Sequence, residues 1–106
     1  MEITKKDIRD LSSFKKWGAT FTKVWSDDDR HLYVFKRTGV RTDYEVIKGV
    51  KTKNPDGSIA YAYPSSEQFG SNGYYIMGIP ANYAENRIRN RLKQFDQSVD
   101  LSGLVI

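Results

Sequence analysis

The chain has no cysteine and one histidine among its 106 residues. These scarcities exclude a disulfide framework, thiol redox chemistry, iron–sulfur ligation, cysteine-based zinc sites and every metal site built on two or three imidazoles. No apolar run approaches the roughly 20 residues a membrane-spanning helix requires. The expectation is a soluble, cytoplasmic protein without cofactor, metal or catalytic residues. No internal repeat, low-complexity stretch or linker is visible either, so residues 1–106 read as one domain.

What the chain has instead is aromatic bulk. Seven Tyr, five Phe and two Trp offset a modest 39% hydrophobic content, because each ring buries more area than an aliphatic side chain. Seventeen Lys and Arg against thirteen Asp and Glu leave a net charge of +4. That balance permits acidic partners without requiring them.

The local patterns predict an α+β fold, in which a five-stranded antiparallel meander over 19–79 is flanked by an N-terminal helix (1–18) and a C-terminal helix with an apolar tail (80–106). In the first segment Ile8, Leu11 and Phe14 form a short stripe and Gly18 is the terminating residue. Strands are expected at 19–26 and 31–37, around an Asp-rich turn, and then at 41–50, 58–63 and 74–79. In the second strand Leu32 and Val34 oppose Tyr33 and Phe35. Either both sheet faces are covered, then, or one presents exposed aromatics. Asn54-Pro55-Asp56-Gly57 is the strongest turn signal and should close a hairpin. Strand 58–63 sets Ile59, Tyr61 and Tyr63 against Ala60 and Ala62, so something packs close to the alanine side. Ala84, Ile88, Leu92 and Phe95 share one face of a helix over about 83–95, with Asn82 and Glu85 as its capping box. Val99, Leu101, Leu104, Val105 and Ile106 are expected to dock on the domain or to meet a partner, a homodimer included.

Candidate chemistry is sparse. Asp27 to Asp29 lack the alternating ligands, glycine and distant glutamate of a calcium loop and read as a charged turn. His31 has no nucleophile in a recognisable motif and reads as structural. Gly70-Ser71-Asn72-Gly73 lacks the lysine and the following helix of a phosphate loop. The tyrosines and the ten-residue loop 64–73 carry the leading reading, in which Tyr61, Tyr63, Glu67, Gln68 and Tyr74 bind a protein partner and Phe69 anchors the loop to the core rather than facing a ligand. If the tyrosine face of strand 58–63 is the core face, those rings are simply buried. The alternative reading is a nucleic-acid-binding module using Lys36, Arg37, Arg41, Lys48, Lys51, Lys53, Arg87 and Arg91. On the helical wheel Arg87 and Arg91 share a flank, while Arg89 and Lys93 lie elsewhere, with Arg89 four residues from Glu85.

The order Tyr44-Glu45-Val46, a turn, Tyr63-Pro64-Ser65 through Phe69-Gly70, aromatic residues and a closing helix resembles small bacteriophage-encoded proteins of no assigned activity. The resemblance covers roughly residues 44 to 95 and departs after Gly70, where Tyr74-Tyr75 stand in place of an expected tryptophan. It implies a phage context, hence the host cytoplasm, and no catalytic or cofactor residues.

Overall fold

The computed structural model describes residues 7–39, 42–78 and 81–105. Its main sheet is antiparallel and five-stranded, built from β1 (Ser13–Lys16), β2 (Ala19–Asp27), β3 (Leu32–Thr38), β4 (Tyr44–Lys48) and β7 (Gly73–Ile76), in that spatial order. Between β4 and β7 the chain makes an excursion: a separate two-stranded ribbon of β5 (Val50–Lys53) and β6 (Ile59–Ala62), then a single helical turn, α1 (Phe69–Asn72). The closing helix is α2 (Ala81–Phe95).

The expected N-terminal helix is not formed over its described part. Residues 7–11 make only local turns, with Asp10 N bonded to Asp7 O and Leu11 N to Ile8 O, and Ser13–Lys16 are a strand. The Ile8/Leu11/Phe14 spacing fits a helix, yet Phe14 gains more in a sheet, where it stacks on its cross-strand partner Phe21 at 5.2 Å between centroids. Gly18 therefore ends no helix. Trp17 and Gly18, at φ 54° and 69°, are the two residues of a tight β1–β2 hairpin turn. A pair of left-handed residues matches the right-handed twist of the flanking strands.

Both faces of β3 are covered, the first of the two expected options. Leu32 and Val34 join Tyr44, Val46 and Ile76 under Ala84, Ile88 and Leu92 of α2. Tyr33 and Phe35 join Phe21, Ile47 and Ile8 on the opposite face. A bulge between Lys23 and Trp25 shifts the register of β2. Phe21 thus serves one face and Trp25 the other, which strict alternation forbids for two odd-numbered residues. The helix stripe is as expected, although the helix begins at Ala81, so Asn82 lies inside its first turn rather than capping it. The tail docks on the domain: Val99, Leu101 and Leu104 are buried, and Arg89 and Lys93 donate to carbonyls of Leu101, Leu104 and Val99. Its apolar side chains are thereby largely consumed within the fold, with Val105 left outward and Ile106 outside the described residues.

The second correction concerns 58–63, which is not a strand of the main sheet. Gly49 breaks the run after β4: its N–H bonds to His31 O, and a Cβ there would lie 3.1 Å from both Ile8 Cγ2 and Tyr61 Cβ. The chain bends away at that point. The Asn54–Gly57 turn closes the β5–β6 hairpin as expected, with Gly57 N bonded to Asn54 O and Gly57 at φ 90°. The ribbon then sends Tyr61 and Tyr63 onto the Tyr33/Phe35/Ile47 face. The result is three layers: α2 and tail, sheet, and ribbon with the N-terminal segment. Asp7 stitches that third layer, pairing with Arg9 and accepting from Tyr61 N, while Ile8 N donates to Tyr61 O.

Candidate aromatic cleft

On the ribbon side of the sheet a cleft of about 440 Å³ is lined by Lys16, Trp17, Tyr63, Pro64, Ser66, Phe69 and Tyr75. The β1–β2 turn, the segment after β6, α1 and β7 each contribute to it. Behind this lining lies Glu45, the second residue of β4, whose side chain is wholly inaccessible and which pairs with Phe35 and Tyr75 on either side. Glu45 accepts from Lys16 Nζ at 2.7 Å and from the Tyr63 hydroxyl, and Lys16 Nζ also lies 3.0 Å from the Tyr63 oxygen. Burial, and next the hydrogen bond to Glu45, push the Tyr63 phenol well above its ordinary value, so it stays a neutral donor.

The Lys16 ammonium is ringed by π faces. Its Nζ lies 4.1 Å from the Trp17 ring centroid, 4.7 Å from Phe69, 5.5 Å from Tyr63 and 6.0 Å from Tyr75. Each wall is held from behind. Tyr75 donates its hydroxyl to the buried Asp43, which also accepts from Arg37 Nη1 and Gly78 N. Trp17 meets Tyr75 edge to face at 5.1 Å. Phe69 lies so close to the Gly73 backbone that a Cβ there would come within 2.5 Å of its ring. Tyr63 is further fixed by Phe14, edge to face at 4.8 Å. Despite these contacts Trp17 is 62% exposed. A large side chain in left-handed backbone, presented to solvent, is an expensive conformation for a residue that only closes a turn.

The residues expected to bind a partner scatter. Tyr63 is a cleft wall. Tyr61 is half-buried beneath Arg9 and stacked on His31 at 3.6 Å. Tyr74 lies on the other sheet face, against the α2 cluster. Glu67 is exposed, and Gln68 stitches its own loop by accepting from Ser65 and from Asn72. Phe69 packs on the core cluster, as expected of an anchor, and also faces the cleft. The Asp-rich turn is internally paired: Asp27 with Arg30, Asp28 with the Tyr33 hydroxyl.

The basic residues divide as well. Lys36 and Lys48 sit opposite Tyr44 and Leu32, four residues apart along the β3–β4 ladder, or roughly 13 Å. Arg37 is paired with Asp43 on the other face. Lys51 and Lys53 are exposed on the ribbon, and Arg41 lies outside the described residues. Arg87 and Arg91 do come together, with Tyr74, Asn90 and Gln94, around a hollow of about 260 Å³.

Sequence reasoning did not find Lys16, Trp17 or Glu45 as members of a site. Two signals were available: a glutamate at a core position of the otherwise apolar run Tyr44–Ile47, and a Trp-Gly pair between alternating stretches. No protein-family model matches this chain, and neither a curated protein nor a solved structure matches it.

Proposed function

We propose that this is a small accessory protein that acts without catalysis, by binding another protein through the cleft beside Trp17. The carrying observation is Trp17 itself: exposed, in left-handed backbone, and braced by Tyr75 and Lys16. Exposed aromatics on rigid supports are the usual anchors of protein contacts, because they add area at low entropic cost. The polar groups of the cleft favour binding over turnover. Glu45, Lys16 and the Tyr63 phenol satisfy one another, which leaves no free base beside a nucleophile in the cleft among the described residues. The phage context that the Tyr44–Phe95 resemblance implies, with its host cytoplasm, belongs to the same proposal. Among the described residues no helix is long and apolar enough to cross a membrane.

The test is capture from a bacterial lysate on the immobilised full chain. One stoichiometric protein is expected on the wild type and is lost with Trp17→Ala. Copurifying DNA or RNA with no stoichiometric protein overturns the reading.

One observation favours a second reading, nucleic-acid binding. Arg87 and Arg91 converge beside Tyr74, and Arg91 Nε is buried without a hydrogen-bond partner among the described residues. A phosphate seated there would give affinity that falls steeply with salt. A gel shift absent at low salt disposes of it.

A further inference from the structure

We propose that the cleft receives an alkylammonium group carried by a protein partner, a lysine side chain and above all an N-methylated one, and that Lys16 is an intrinsic occupant which this group displaces. The proposal rests on the protein-binding reading above and names the chemistry recognised.

The site already holds the chemistry in question. A cation sits within 4.1–6.0 Å of four ring centroids, where the negative faces of the rings attract it. Behind it stands Glu45, fully buried. Packing has no use for a carboxylate there, since an apolar residue of similar volume would stabilise the sheet at least as well. The carboxylate makes sense as the charge complement of a cation. The walls are also preset. Tyr63 and Tyr75 are each tethered at the hydroxyl by a buried carboxylate, Glu45 and Asp43, which leaves their ring faces directed into the cleft. Preorganisation of this kind removes the ordering cost from the binding step.

Lys16 is suited to leave. It lies at the end of the short first strand, its side chain is 24% exposed, and its flexible stem can return the ammonium to water. The cleft, at about 440 Å³, is far larger than one ammonium group fills. The exchange is neutral in charge, because Glu45 faces a cation before and after it. An intramolecular ammonium has a high effective concentration, so an unmodified lysine from a partner competes poorly. N-methylation weakens the hydration of the incoming head and adds apolar surface against the rings. Both effects tip the exchange towards the partner, against the N–H bond from Lys16 to Glu45 that a trimethylammonium does not replace.

The experiment is calorimetric titration of the full chain with three peptides of one Gly/Ser-rich sequence. They carry lysine, trimethyllysine or the uncharged carbon isostere of trimethyllysine at one position. Expected are binding of the trimethyllysine peptide, affinity lower by about tenfold or more for lysine, and none for the isostere. Trp17→Ala should weaken the trimethyllysine peptide by about tenfold. Lys16→Met, lacking the competitor, should bind it more tightly, and adding Glu45→Gln to Lys16→Met, where the carboxylate faces only the incoming cation, should weaken it again by about tenfold. Should Lys16→Met not fold, the wild-type peptide series decides alone. Equal binding of the isostere and trimethyllysine overturns the proposal, as does the absence of binding by every peptide. A lysate partner lost with Trp17→Ala but held equally by Lys16→Met and by Lys16→Met with Glu45→Gln refutes the ammonium chemistry while leaving the protein-binding function standing.

Discussion

The substitution Lys16→Met removes the ammonium and keeps most of the stem, so it isolates the charge that faces Glu45. In the wild type the carboxylate is wholly buried and takes one bond from Lys16 Nζ at 2.7 Å and one from the Tyr63 hydroxyl. Without the ammonium, a buried carboxylate is left with a single neutral donor among the described residues. Breaking a buried pair from one side costs about 3–5 kcal/mol. The lower end applies here, because Lys16 is itself 24% exposed and Tyr63 still donates. A loss of about 3 kcal/mol in a chain of this size lowers the melting temperature by about 12–24 °C. Glu45→Gln, which keeps the shape and an acceptor, should cost about 1–2 kcal/mol. The double variant leaves no charge between residues 16 and 45 and should recover to within about 1 kcal/mol of the wild type, a coupling that a double-mutant cycle measures directly. The assay is urea unfolding followed by far-ultraviolet circular dichroism, with the slope checked to be constant across the four proteins. A Lys16→Met cost below about 1 kcal/mol, or a double variant no more stable than Lys16→Met, would refute the reasoning that the ammonium neutralises Glu45.

Three further outcomes are expected. Gly73→Ala sets a Cβ 2.5 Å from the Phe69 ring and should cost about 1–3 kcal/mol by urea unfolding, while moving a cleft wall and weakening partner capture. Trp17→Asn suits the left-handed backbone at φ 54°, which offsets the ring contacts it loses. It should stay within about 1 kcal/mol of the wild type yet lose partner capture, and a drop beyond about 2 kcal/mol would show that Trp17 is there for stability. Finally, the bonds from Arg9 hold the Asp7 carboxyl down at about 2, against an ordinary 3.8. The unfolded chain therefore takes up this proton first as pH falls. The contribution of Asp7 is complete above about pH 4 and disappears as pH drops through about 2. Because Arg9 is exposed, that contribution is held to about 1 kcal/mol. Asp7→Asn should flatten this part of an acid-unfolding profile, and an unchanged slope there would count against it.

How much of this was legible beforehand depends on whether a signal is local. The α2 stripe of Ala84, Ile88 and Leu92, the Glu85–Arg89 pair and the Asn54–Gly57 hairpin were all readable, because each depends on residues at most a few positions apart. The first segment misled because Ile8, Leu11 and Phe14 satisfy a helical spacing over too few residues to exclude a turn followed by a strand. Of the cleft, Tyr63 and Phe69 were named for other reasons. Lys16 and Trp17 were assigned to a helix that would have pointed them elsewhere, and Glu45 was named only within the Tyr44-Glu45-Val46 motif.

By itself, then, the amino-acid order determined the extended stretches after Gly18, the Asn54–Gly57 turn and which face of α2 is apolar, since backbone sterics and hydrophobic periodicity act over a few residues. Tertiary structure alone decided three things. The β2 bulge sends Phe21 and Trp25 to opposite faces. Close packing of Gly49 against Ile8 and Tyr61 accompanies the bend that detaches the ribbon and lays its tyrosines on the sheet. Residues 45, 63, 69 and 75, far from the first hairpin in the chain, converge on the ammonium of Lys16 beside Trp17. The last is a matter of long-range contacts among buried charges and rings. Their energies exist only once water has been excluded from the space between them.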